Sequence, residues 1–160
     1  MVEISRARPL LGTFVTISAE GSRRAVEGGV ARAFKAVEAV ERRMSFFRPT
    51  SDVSRLNRGA FDGPVRVHAH TYRVLQQAQQ FSLLSDGAFD VTVAGILARD
   101  GFLPSPPQRR RKGPFLSEGK KKFVPFPPAR GINFNDIFLG LDRRVRFRRP
   151  LWIDLSLIHI

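Results

Sequence analysis

Seven prolines between Pro104 and Pro128 divide this chain of 160 residues more firmly than any other feature. Proline removes a backbone donor and fixes φ, so no helix or central strand runs through a segment that carries them this densely. Two basic runs, at 109–112 and 120–122, repel themselves into extension within the same stretch. Regular structure is therefore expected on either side, over 1–104 and again over 132–155. The 105–131 block between them reads as a basic, proline-rich loop or a non-native insert.

Charge follows the same division. The chain carries a formal net charge of +13, yet residues 104–149 hold 13 Lys and Arg against 3 Asp and Glu, while residues 1–103 hold 14 against 10. Charge of this kind can contact phosphates, and such binding is salt-sensitive and blind to sequence. No reader motif or aromatic-interleaved platform accompanies it, so a nucleic-acid partner is not expected. The alternative to any enzymatic reading is a non-catalytic binding module that uses the basic 105–149 region for nucleic acid or an anionic surface. Cysteine is absent, which removes disulfides and thiolate metal sites. No apolar run reaches the length of a membrane span. The apolar stretch around Leu10 to Ile17 is broken by Gly12 and Thr13, so it does not read as a signal peptide.

Periodicity supplies the elements. Leu10 to Ser18, alternating from Thr13 onward, predicts a strand that closes on Glu20-Gly21. Ser22 stands as the cap of a helix with Val26, Val30, Ala33 and Phe34, Val37, Val40 and Met44 at spacings of three and four. Gly28-Gly29 weakens that helix by about 1 kcal/mol per glycine, so its beginning is expected to fray. Ser51 or Asp52 caps a single turn that sends Val53 and Leu56 inward and stops at Asn57 to Gly59. Pro64 to His68 forms a short strand, and a second helix from His70 carries Tyr72, Leu75, Ala78 and Ser82-Leu83. Beyond the proline block, Ile137–Leu139, Val145–Phe147 and Leu151–Leu155 show the period-2 pattern of two or three short strands.

The stretch Gly87-Ala88-Phe89-Asp90-Val91-Thr92-Val93-Ala94-Gly95 carries the chemistry most economically. In an extended conformation, Asp90 and Thr92 direct a carboxylate and a hydroxyl to one side. The bland alternative is a helix stop at Ser85-Asp86, with Asp90 and Thr92 capping the next turn of the chain. Met44-Ser45-Phe46-Phe47-Arg48-Pro49 places two aromatics after a helix, a face able to stack a flavin or adenine ring. Equally, both rings can simply pin the helix end to the core. His68 and His70 share a face without a third ligand nearby, and His159 stands alone, so all three read as surface or turn residues. Gly-x-Ser-x-Gly, phosphate-loop and dinucleotide-fingerprint glycine patterns are all missing, and nothing pairs two carboxylates for glycoside hydrolysis.

Taken together, Arg8-Pro9-Leu10-Leu11-Gly12-Thr13-Phe14, Met44 to Asn57, Gly87 to Val93, Gly101-Phe102-Leu103-Pro104 and Leu151-Trp152-Ile153-Asp154-Leu155 resemble the ApbE family of FAD:protein FMN transferases. Order and spacing agree over 6–104 and, more loosely, 132–155. The resemblance implies an α+β fold: a short-stranded, mainly antiparallel sheet with two long helices packed on it. It implies FAD as donor, Mg²⁺ as the assisting ion, and transfer of FMN to a threonine of a protein acceptor such as a membrane redox-complex subunit. It also implies cofactor contacts at Leu11, Phe47, Ala88, Phe89, Asp90 and Asp154. Phe47 stands where tyrosine is common in the family, which keeps the stacking but loses a phenol hydrogen bond.

Departures from the family pattern begin after Asp154-Leu155. The expected metal-ligand position is occupied by Leu157, which cannot ligate a metal. The family's catalytic histidine and later aspartate ligands would lie beyond residue 160, so the chain is expected to be a C-terminally truncated, inactive fragment. Leu155 to Ile160 reads as a translated library adapter, making 156–160 a non-native tail. The family usually works in the periplasm or at the membrane.

Overall fold

The computed structural model describes residues 1–104 and 131–156; the 105–130 block and residues 157–160, with Leu157 and His159 among them, lie outside the described residues. Within the described residues, four α-helices and five strands organise the chain, with three short 3-10 turns between them. β1 (Val2–Leu10) and β2 (Thr13–Gly21) form a hairpin, followed by α1 (Arg23–Met44) and α2 (Asp52–Gly59). β3 (Val65–Arg66) leads into α3 (Ala69–Leu84), and α4 (Ala94–Arg99) precedes β4 (Ile137–Leu139) and β5 (Arg144–Phe147). Their pairings are antiparallel, in two separate sheets ordered β1-β2 and β3-β5-β4. The α+β architecture with two long helices is as expected, with the sheet in two pieces.

The first sheet corrects the sequence reading at the N-terminus. Leu10 to Ser18 is not one strand: the chain reverses at Leu11-Gly12, with φ of 57° and 76°, and Leu10 faces Thr13 across the turn. Two successive left-handed residues define a type I′ turn, whose twist matches the flanking strands. Val2 and Ile4 already alternate with polar neighbours, but Pro9 obscures the strand; as an edge-strand residue it costs no ladder bond. Glycine takes the second turn position freely, whereas the left-handed conformation costs Leu11 about 1 kcal/mol.

α1 holds the hairpin through a small core of its own. Val26, Val30 and Phe34 are buried against Ile4, Leu10, Val15, Ile17 and Ala19. The Arg8 guanidinium lies 4.5 Å from the Phe34 ring centroid and pairs with Glu38 at 3.1 Å, so one cation clamps strand to helix. The helix continues through Gly28-Gly29 without a break, and Ser22 occupies the cap position without a side-chain hydrogen bond to the helix. Val40, which the spacing turns inward, is exposed.

The larger core gathers Met44 and Phe46 with Val53, Leu56, Leu75, Ala94, Val145, Phe147, Leu151 and Ile153. α2 is two turns long, not one; the Ser51 hydroxyl accepts from the Ser54 amide at 3.0 Å, and Asn57 lies inside the helix. Asp52 at its start is buried and fully engaged. Its Oδ2 accepts from the His68 amide at 2.9 Å and the Thr71 hydroxyl at 2.8 Å, and its Oδ1 from Arg55 at 2.9 Å. This one carboxylate ties the starts of α2 and α3 together.

At its far end α3 closes in a Schellman arrangement: the Gly87 amide donates to Ser82 O and the Asp86 amide to Leu83 O, with Asp86 left-handed at φ 51°. None of the helices is long and apolar enough to cross a membrane, among the described residues.

Two measurements test these local devices. Leu11→Asn, which supplies the residue a type I′ turn favours, is expected to stabilise the chain by about 0.5–1 kcal/mol in urea unfolding. His68 caps α3 by accepting from the His70 amide on Nδ1 at 3.1 Å, a bond only the neutral ring can make. Desolvation of the ring, then the charges of Arg43 and His70, lower its pKa from 6.5, with Asp52 opposing. Because the unfolded chain then binds that proton more readily, the cap's contribution is complete above pH 6.5 and fades as pH falls through the folded midpoint. An NMR titration is expected to place His68 below 6.5, and His68→Asn to remove this part of the acid loss of stability.

Candidate functional site

The segment leaving α3 is not extended, as a shared face for Asp90 and Thr92 would require. Asp90 caps a 3-10 turn over Val91–Val93: its Oδ1 accepts from the Thr92 amide at 2.8 Å. Its Oδ2 accepts from the Phe134 amide at 3.0 Å, forty-four positions along the chain. The carboxylate thus fastens the chain after the proline block to the chain before it. Thr92 is buried rather than presented beside Asp90. Ala88 and Phe89 lie exposed just ahead, with the Phe89 amide donating to the Ser85 hydroxyl at 3.0 Å and its ring edge-on to Phe81.

Asp154 approaches the same turn from the other side. Its amide donates to Val91 O at 3.0 Å, so Asp90 and Asp154 flank one short piece of backbone. The Asp154 side chain is buried, and both its oxygens accept from Ser156, one from the amide at 2.9 Å and the other from the hydroxyl. The segment 151–155 is not a strand of either sheet, despite its alternation. Its backbone bonds include the one to Val91 O and two to the Asn57 carboxamide, which donates to Ile153 O at 2.9 Å and accepts from Ile153 N at 2.8 Å. Asn57, which in the sequence reads only as a helix stop, is therefore the residue that positions Asp154. A polar side chain one turn after a buried Val53 is the available signal, since that face points inward.

Phe46 and Phe47 divide the two readings open to them. Phe46 is buried in the larger core, while Phe47 is 66% exposed and stands edge-on to it at 6.0 Å between centroids. Hydroxyls fix the backbone around both: Ser54 Oγ donates to Phe46 O at 3.0 Å, Ser51 Oγ donates to Ser45 O at 2.6 Å, and the Phe47 amide donates to Ser45 Oγ at 3.2 Å. Phe47 is thereby attached to the start of α2, and α2 carries Asn57 to Ile153 and Asp154. Leu11 stands apart at the hairpin tip, half exposed, and no hydrogen bond among the described residues ties it to Asp90 or Asp154. Beside the Val91–Val93 turn lies a pocket of about 60 Å³ lined by Thr92, Val93, Gly95, Ile96, Leu151 and Trp152, among others.

This arrangement suits a ligand with an aromatic ring and polar groups: a fixed, exposed phenyl face and two anchored carboxylates on one connected framework. Among the described residues no three His, Cys, Asp or Glu side chains converge, and His68 uses Nδ1 for its helix cap.

Known proteins agree with this architecture. A model of the ApbE family matches residues 11–145. A curated FAD:protein FMN transferase of Vibrio cholerae serotype O1 is 35% identical over 68 residues, which make up 42% of this chain and 20% of that protein. The ApbE protein of Thermotoga maritima superposes with a TM-score of 0.75 at 21% identity, covering 97% of this chain and 48% of its own. The flavin transferase ApbE of Vibrio cholerae gives 0.67 at 22%, over 98% and 49%. At these identities the likeness speaks to the fold, and the chain spans about half the length of the solved relatives. The family match runs from the hairpin tip to the central strand of the second sheet, and the protein belongs to the ApbE family.

Proposed function

We propose that this chain is the FAD-holding part of an FAD:protein FMN transferase. The observation that supports it most directly is the backbone bond from Asp154 to Val91, which sets two carboxylates beside a turn already tied through Asn57 and α2 to the exposed Phe47 ring. In this reading Phe47 stacks on the isoalloxazine or adenine ring. Ala88, Phe89 and Asp90 contact the dinucleotide, Asp154 accepts a hydrogen bond from it, and Leu11 closes over it from the hairpin tip.

The reaction of the complete enzyme is a phosphoryl-type transfer. A threonine hydroxyl of the acceptor protein attacks the phosphorus on the FMN side of the pyrophosphate. The bond to the AMP oxygen breaks, AMP leaves with the electron pair, and the hydroxyl proton passes to a base. Positioning accounts for much of such chemistry. The resemblance assigns Mg²⁺ to this reaction, but the described residues supply no ion site and no step is routed through one. A membrane redox subunit is the proposed acceptor class. We read the chain by itself as binding FAD without transferring it.

Two outcomes test this. Phe47→Ala is expected to weaken FAD binding about tenfold, the usual worth of one stacking contact, in a flavin-fluorescence titration, with the melting midpoint unchanged. Phe46→Ala, one position away and buried, is expected to cost about 3–5 kcal/mol of stability instead. Equal loss of affinity from a distant exposed phenylalanine, such as Phe102→Ala, would remove Phe47 from the site. Chelation by EDTA is expected to leave FAD affinity unchanged, because in this reading the described residues hold FAD without a metal; a large EDTA effect in the same titration would show that an ion helps to hold it.

A further inference from the structure

The second sheet presents a face that the flavin reading does not use. β3, β5 and β4 bury Val145, Phe147 and Ile137 on one side. On the other side the central strand alternates Arg144, Arg146 and then Arg148 just past its end, all exposed. Arg144 stands directly opposite Arg66 of β3, and Arg146 directly opposite Phe138 of β4. Residues directly opposite one another in an antiparallel pair point to the same face, so Arg66, Arg144, Arg146 and Phe138 share one surface.

Like charges set opposite each other destabilise a sheet, so this arrangement works against the fold that displays it. No ion pair among the described residues relieves it: Arg55, Arg99 and Arg149 have acidic partners in Asp52, Asp100 and Asp136, while Arg66, Arg144 and Arg146 do not. The nearest acid in sequence, Asp142, lies exposed in the turn before β5.

That turn adds an apolar element. Leu141 is 91% exposed, and Phe138 at the same rim is 53% exposed. The two line an open groove of about 500 Å³ together with Tyr72, Leu139 and Arg143. Asp142 and Arg143, neither of them glycine, are both left-handed, at φ 54° and 59°. The chain therefore accepts backbone strain in a turn whose first residue exposes a leucine to water.

We propose that this arginine face, with Phe138 and Leu141 at its rim, docks on a membrane surface bearing anionic phospholipids. Arginines matched to phosphate oxygens, beside an aliphatic and an aromatic side chain able to enter the headgroup boundary, are the pairing that interfacial binding uses. A nucleic acid fits less well, because Phe138 is a single ring and the exposed tip, Leu141, is aliphatic, so the face gives no row of aromatics on which successive bases stack. The surface lies on β3, β4 and β5 and shares no residue with the candidate flavin site, so the proposal stands or falls independently of FAD binding.

The test is sedimentation of the chain with vesicles of phosphatidylcholine alone and of phosphatidylcholine carrying about 30% phosphatidylglycerol, at low and high salt. Binding is expected only to the anionic vesicles and to be lost in about 0.5 M salt. The triple variant R66Q/R144Q/R146Q is expected to lower partitioning by a factor on the order of a hundred, each arginine near an anionic surface being worth about fivefold. The charge-matched control R24Q/R32Q/K35Q, on the exposed side of α1, is expected to retain most of the binding. L141S is expected to weaken vesicle binding with the melting midpoint unchanged. Equal losses in both triple variants would overturn the proposal in favour of net charge alone. So would a short DNA duplex bound as tightly as the vesicles, with L141S having no effect on either.

Discussion

One carboxamide does for residues 151–155 what a neighbouring strand would do. Buried backbone groups must find partners, and a segment that alternates like a strand but joins no sheet has to find them elsewhere. Asn57 answers in both directions, donating to Ile153 O and accepting from Ile153 N. The next amide, Asp154, reaches Val91 O. Without the side chain at position 57, Leu151 and Ile153 would still be drawn into the core by their apolar surface. The bond from the Asp154 amide to Val91 O would then have to orient the segment, and with it Asp154, without the two bonds at Ile153. The site depends on this mimicry of a strand pair by a side chain.

Carboxylates perform the other long connections. Asp52 joins the starts of α2 and α3, Asp90 joins the residues before the proline block to those after it, and Asp136 pairs with Arg149 beside β5. Each is at least half-buried; Asp52 and Asp90 accept hydrogen bonds from donors distant in sequence, and Asp136 forms an ion pair with one. In a chain with so large an excess of cations, these few acids are used as internal fasteners rather than as surface counter-charge.

Much of this is legible in the sequence and some is not, for physical reasons. Helix periodicity locates α1 and α3 because Val26, Val30, Phe34, Leu75 and Ala78 are held by cores on one side. The hairpin is hidden because its first strand contains Pro9 and its turn places leucine where glycine or asparagine is the usual signal. Residues 151–155 imitate a strand because alternation reports which faces are buried, not what the backbone bonds to. Asp90 is ambiguous for a related reason: a carboxylate that caps a turn and one that meets a ligand have the same local sequence. Phe46 and Phe47 mark the limit plainly, since identical neighbours enter opposite environments.

α1 belongs to two cores at once. Val26, Val30 and Phe34 engage the hairpin, while Met44 and the adjacent Phe46 engage the main body. Its 22 residues span about 33 Å, so one continuous helix bridges the two cores. One rod thus sets the distance between the hairpin, with Leu11 at its tip, and the joint where Phe47 emerges, although no hydrogen bond among the described residues joins the two.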